Sequence, residues 1–110
     1  MINVSILYPI KEGGYFDLEY YLKTHMPLSI EKLRPALRGV SIEHGFGTAG
    51  SDAPPAFTVI CQLSFDSVEA FFEVFSPHVE WLQGDIKTYT DLHPVIQFSE
   101  VKLLDHPSMP

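Results

Sequence analysis

The chain has 110 residues and a mass of 12.4 kDa, enough for one domain and too little for two separate cores. A hydrophobic fraction of 45%, with 8 Phe, 5 Tyr and 1 Trp, excludes disorder as the dominant state. Fourteen acidic against seven basic residues leave a net charge of −7, which argues against a nucleic-acid partner, since that needs clustered Lys and Arg.

The first expected strand runs from Ile2 to Tyr8, where Ile2, Val4, Ile6 and Tyr8 alternate with Asn3 and Ser5. Pro9 and the pair Gly13-Gly14 end it and open a turn. Asp17 is placed to cap a helix in which Leu18, Tyr21, Leu22 and His25 recur at helical spacing and share a face. Pro27 disfavours helical geometry at Met26, so a kink or break is expected there, with a second segment toward Leu33.

A second strand fits Val40 to Phe46, with Val40, Ile42, His44 and Phe46 on one side. Gly47 to Pro55 is rich in Gly, Pro, Ser and Asp and reads as an exposed loop. The third strand has the strictest alternation: Phe57, Val59, Cys61, Leu63 and Phe65 against Thr58, Ile60, Gln62 and Ser64. Asp66-Ser67-Val68-Glu69 looks like a capping box with Asp66 as the cap. Behind it Val68, Phe71, Phe72, Phe75, Val79 and Leu82 form the stripe of a core-facing helix, with Pro77 expected to kink it after Phe75. The fourth strand is expected from Val95 to Leu104, and His106 to Pro110 form a tail.

The order β-α-β-β-α-β is the ferredoxin-like arrangement, an α+β fold with a four-stranded antiparallel sheet and two helices on one face. The strands carry apolar residues on both faces: Leu7 opposes Ile6, Ile60 opposes Val59 and Ile96 opposes Val95, so a monomer would leave an apolar sheet face in water. Burial of that face against a second copy is the economical solution, so a homodimer with sheets face to face is expected. No apolar run approaches the roughly 18 residues of a membrane span. The first residues lack the basic start of a signal peptide, and a cytoplasmic protein without a membrane partner is expected. Cys61 is the one cysteine, in an apolar run, and reads as a small buried hydrophobe.

Phosphate loops and the GxGxxG, HExxH and GxSxG motifs are absent from the sequence, which leaves its histidines and tyrosines as the chemistry-bearing groups. Tyr21 and His25 are four apart, so they can meet on one helix face. A His can exchange a proton near neutral pH while a Tyr hydroxyl orients it. The competing reading is a His that caps a kinked helix. His44 and Tyr8 are candidates for the wall of a pocket, whereas His78 and Trp81 read as a half-exposed surface pair. No two histidines stand at a close ligand spacing, so no metal is expected.

The string Tyr20-Tyr21-x-x-x-His25-Met26-Pro27-Leu28 resembles a signature of the EthD family, named for ethyl tert-butyl ether degradation. Tyr89-Thr90-Asp91-x-x-Pro94-Val95-Ile96-Gln97-Phe98-Ser99-Glu100-Val101 is similar to the same family's last segment, and the likeness covers almost the whole chain. The resemblance implies a dimeric α/β barrel. It implies Tyr21 and His25 as the helix-one positions, accompanied by Tyr20 and Pro27, with Tyr89 and Asp91 from the later segment. The wider superfamily includes cofactor-free monooxygenases, isomerases, polyketide cyclases and some haem proteins, so the fold does not fix an activity. No haem ligand is carried over, and no cofactor is expected. The leading expectation is a cofactor-independent enzyme acting on a hydrophobic small molecule. His25 would then be the acid or base, Tyr21 its orienter, and Tyr8, Tyr20, His44 and Tyr89 substrate contacts. A non-catalytic binding or accessory protein of an ether- or aromatic-degradation pathway is the alternative.

Overall fold

The computed structural model describes residues 1–105; the tail expected from His106 onward lies outside the described residues. Four strands, β1 (Ile2–Pro9), β2 (Gly39–His44), β3 (Phe57–Phe65) and β4 (Val95–Glu100), form one sheet in the order β2-β3-β1-β4. Every pairing is antiparallel. Five short helices connect them: α1 (Leu18–Tyr20), α2 (Met26–Leu33), α3 (Val68–Phe75), α4 (Val79–Gly84) and α5 (Ile86–Tyr89). A π-helical turn at Tyr21–His25 joins α1 to α2, and a 3-10 turn at Ser76–His78 joins α3 to α4. The two long helical runs cover one face of the sheet, which is the ferredoxin-like α+β fold. Among the described residues no helix is long and apolar enough to cross a membrane.

Strand alternation builds the core directly. Val4, Tyr8, Val59, Cys61, Leu63 and Phe65 are buried beneath Tyr21, Met26, Leu33, Phe71 and Leu82. The chain leaves β1 through a turn closed by Gly14 N–H to the Lys11 carbonyl at 2.9 Å. Gly13 takes φ 75° there, the left-handed geometry that glycine adopts without cost. Asp17 caps α1 as expected, its carboxylate accepting from Tyr20 N–H at 3.0 Å.

Pro27 does not break the helix. Met26 keeps helical angles (φ −69°, ψ −43°), and its N–H reaches back five residues to the Tyr21 carbonyl. The widened turn makes room for the proline ring, which in a regular α-helix would press on the carbonyl four residues earlier. Pro77 acts as expected, with the helix tightening to the 3-10 turn beside it. The cap of α3 lies one residue later than expected. Ser67 accepts from Ala70 N–H at 3.0 Å, while Asp66 is occupied by a two-bond pair with Arg38. Strand β2 ends at His44, leaving Phe46 fully exposed, and β4 ends at Glu100 rather than Leu104.

The uncovered sheet face is more polar than expected. Ile60, Leu7 and Val95 lie side by side across it. Beyond that row stand Ser5 bonded to Gln62 at 2.6 Å and Ser64 bonded to Asn3 at 2.8 Å. The helical stripe is also only half-buried: Phe71 and Leu82 are inside, whereas Phe72 and Val79 are exposed, Phe72 lying against Phe98 of β4.

Candidate functional site

The π-helical turn sets the geometry of the site. In a turn closed by bonds over five residues, side chains four apart come more nearly into line than in an α-helix. Tyr21 and His25 accordingly stack face to face, with ring centres 5.6 Å apart and planes 14° from parallel. Trp81 of α4 also stacks on the imidazole at 5.4 Å and 14°, and Lys32 Nζ lies 4.8 Å over Trp81. The ring is thus held by two nearly parallel aromatic planes, with Tyr89 tilted against it at 4.6 Å. Ser29 Oγ donates to the His25 carbonyl at 2.7 Å, one turn on.

In-plane orientation comes from Asp85, at the junction of α4 and α5. His25 Nδ1 and Asp85 Oδ2 are 2.8 Å apart, with both side chains about nine-tenths buried. The Tyr20 hydroxyl donates to both oxygens of the same carboxylate, at 3.0 and 3.2 Å. A carboxylate only accepts, so Nδ1 carries the proton of the neutral imidazole and Nε2 presents a lone pair. Burial lowers the His25 pKa below the usual 6.5, with Asp85 opposing that shift, so the ring is neutral at pH 7. Nε2 makes no hydrogen bond among the described residues, yet no buried side-chain nitrogen or oxygen there lacks a partner. It therefore keeps access to free space.

His25 lines a cavity of about 60 Å³ between the helices and the sheet. His25, Tyr8, Tyr89, Ser29, Gln83 and Cys61 supply its polar lining, and the remaining walls are apolar, among them Val4, Met26, Phe71 and Ile96. The Tyr8 and Tyr89 hydroxyls are bonded to each other at 2.7 Å. Burial pushes the Tyr8 phenol up to about 12 and raises Tyr21 and Tyr89 as well, so all three remain protonated donors at neutral pH. The Tyr21 hydroxyl lies near both the Cys61 thiol and the Tyr8 hydroxyl, and burial pushes the Cys61 pKa up to about 11. This thiol is not a nucleophile at neutral pH.

Of the residues singled out in the sequence, the structure brings His25, Tyr8 and Tyr89 to the cavity wall. Tyr21 is buried beside His25 but makes no hydrogen bond to it; its hydroxyl lies toward Cys61 and Tyr8, so it fixes the ring by stacking alone. Tyr20 reaches the site only through Asp85. His44 is exposed and is not at the cavity, because it is the last residue of β2, the edge strand of the sheet. Asp91 holds the loop after β1, accepting from Tyr15 N–H at 2.9 Å and pairing with Lys11 at 3.2 Å. Sequence reasoning missed Asp85, and it placed Trp81 on the surface. Asp85 stands 60 positions from His25 and no spacing rule connects them. Among the described residues no three His, Cys, Asp or Glu side chains gather into a metal site.

Comparison with solved structures finds close likeness over nearly the full chain. An EthD-like protein from Ralstonia eutropha JMP134 is 40% identical, with a TM-score of 0.88, over 93% of this chain and 92% of its own. An EthD family protein from Bacillus halodurans C-125 is 20% identical, with a TM-score of 0.71, over 92% of this chain and 98% of its own. A dimeric ferredoxin-like protein from an uncultured marine organism shares the fold at 15% identity and a TM-score of 0.53, over 94% and 98% of the two chains. No protein-family model matches the chain, and no curated protein matches it. The full-length likeness to the Ralstonia protein, with the same β-α-β-β-α-β architecture, places this chain in the EthD family.

Proposed function

We propose that the chain binds a small, mainly apolar molecule between its helices and sheet, and that His25 exchanges a proton with it without a bound cofactor. The observation that carries this reading is a neutral His25 held at Nδ1 by Asp85, with Nε2 unpaired beside an apolar cavity. Such a nitrogen suits abstraction of a proton next to a carbonyl. The C–H bond breaks, an N–H bond forms at Nε2, and the electron pair moves to the carbonyl oxygen, where a phenol hydroxyl can receive it. Reversal returns the proton. Isomerisation, cyclisation and cofactor-free oxygenation can all begin with this step, and the family places the chain among proteins named for ether degradation. The small cavity favours a second reading, in which the chain is a cytoplasmic binding or accessory partner to a degradative enzyme.

The proposal includes a homodimer joined through the uncovered sheet faces. The Ile60-Leu7-Val95 row and the dimeric state of the marine relative support it. Sedimentation velocity of the protein and of Leu7→Lys tests the pairing; an unmodified chain that sediments as a monomer rejects it.

The chemical reading is tested with butanone in D2O, following deuterium uptake at its α carbons by NMR. Uptake catalysed by the protein and abolished in His25→Asn supports proton transfer. Saturable binding without uptake supports the accessory reading. Uptake unchanged in the variant removes His25 from the chemistry.

A further inference from the structure

We infer that the molecule taken by this cavity is uncharged and meets the Tyr8–Tyr89 pair and His25 Nε2 with a single oxygen-bearing group, a ketone or a hydroxyl. This rests on the reading of the cavity just given and adds the class of ligand.

The first argument is charge. None of the chain's seven Lys and Arg residues lines the cavity, and Lys32 lies over the face of Trp81, which is not part of its wall. His25 is neutral, and the charge directly behind it belongs to Asp85. A carboxylate or phosphate entering here would lose its water and gain no cation, a cost that an uncharged ligand does not meet.

The second argument counts donors and acceptors. Each phenol has one proton, and the bond between the Tyr8 and Tyr89 hydroxyls uses one of the two. Whichever of the two donates, one phenol proton is left over. The Tyr8–Tyr89 pair thus offers a donor, and His25 Nε2 an acceptor. A hydroxyl satisfies both, and a ketone satisfies the donor while turning an α C–H toward the acceptor. Around them the walls are mostly apolar, among them Val4, Leu63, Phe71 and Ile96, and the Ser29 hydroxyl proton is already used on the His25 carbonyl.

Butanone and propionate have the same number of heavy atoms and differ in charge. Each is titrated into the full chain while the imidazole and tyrosine ring resonances are followed by NMR. Butanone should shift His25, Tyr8 and Tyr89 saturably, and propionate should bind at least about tenfold more weakly. Tyr8→Phe should weaken butanone about threefold to tenfold; Tyr89→Phe, which removes the other phenol of the pair, takes its place if the first variant does not fold. Propionate binding as tightly as butanone, or Tyr8→Phe and Tyr89→Phe both without effect, overturns the inference even where His25-dependent deuterium uptake stands. Failure of both probes to bind overturns this inference and the underlying reading together.

Discussion

Replacing Asp85 by Asn keeps the shape of the side chain and removes its charge. In the native protein that carboxylate accepts from His25 Nδ1 at 2.8 Å and from the Tyr20 hydroxyl at 3.0 Å. It is also the group that opposes the lowering of the His25 pKa by burial. A hydrogen bond to a charged group contributes about 1.5–3 kcal/mol. The part of that contribution that favours the imidazolium over the neutral ring is lost with the charge, which moves the His25 midpoint down. The sign follows from the causes: desolvation still disfavours the imidazolium, and the partner that favoured it is gone. The tautomer should change as well. Tyr20 can donate to the amide oxygen of the substituted side chain, which turns the NH2 group toward Nδ1 and moves the imidazole proton to Nε2. Nitrogen–proton correlation spectra across pH read both quantities in one series. The wild type should show a bare Nε2 at pH 7, and Asp85→Asn a protonated one with a lower midpoint. An unchanged midpoint and tautomer would refute the claim that Asp85 orients the ring.

Further outcomes follow from individual contacts. His25 titrates near 6.5 in the unfolded chain and lower in the folded one, so its contribution to stability is complete above pH 6.5 and declines as pH falls toward the folded midpoint. Thermal melts from pH 7.5 to 5 should therefore lose less stability in His25→Asn than in the wild type over that window. Tyr21→Phe keeps the stack on His25 and loses only the hydroxyl facing Cys61 and Tyr8; deuterium uptake into butanone should stay within about threefold while stability drops by about 1 kcal/mol in urea melts. Ser67→Ala should cost about 1 kcal/mol through loss of the α3 cap. Asp66→Ala, whose partner Arg38 is exposed, should cost about 0–1 kcal/mol in the same assay. Phe71→Ala, in the core and on the cavity wall, should cost about 3–5 kcal/mol.

The fold was legible wherever a local rule acted alone. Strand β3 shows period-two alternation over its whole length, and Asp17 caps a helix by contact with a residue three positions away. Local rules failed where two of them competed. Asp66 and Ser67 could both cap α3, and the nearby Arg38 guanidinium drew Asp66 aside. Pro27 should disfavour a helix, yet a π-helical turn just before it absorbs the ring and also brings Tyr21 and His25 into line. The site was legible only on its own helix. The spacing of Tyr21 and His25 identified the pair, but Tyr21 stacks instead of hydrogen bonding, and the carboxylate that holds His25 comes from the second helical run, far along the chain. Trp81 was read as a surface residue because its face toward His25 exists only once α4 packs on α2.

The central claim is that a ligand occupies the cavity in contact with His25. Intermolecular nuclear Overhauser effects between unlabelled butanone and the carbon-labelled protein test it most directly. Cross-peaks to the His25, Tyr89 and Phe71 rings are the predicted result. Cross-peaks confined to exposed rings such as Phe46 and Phe72 would contradict it.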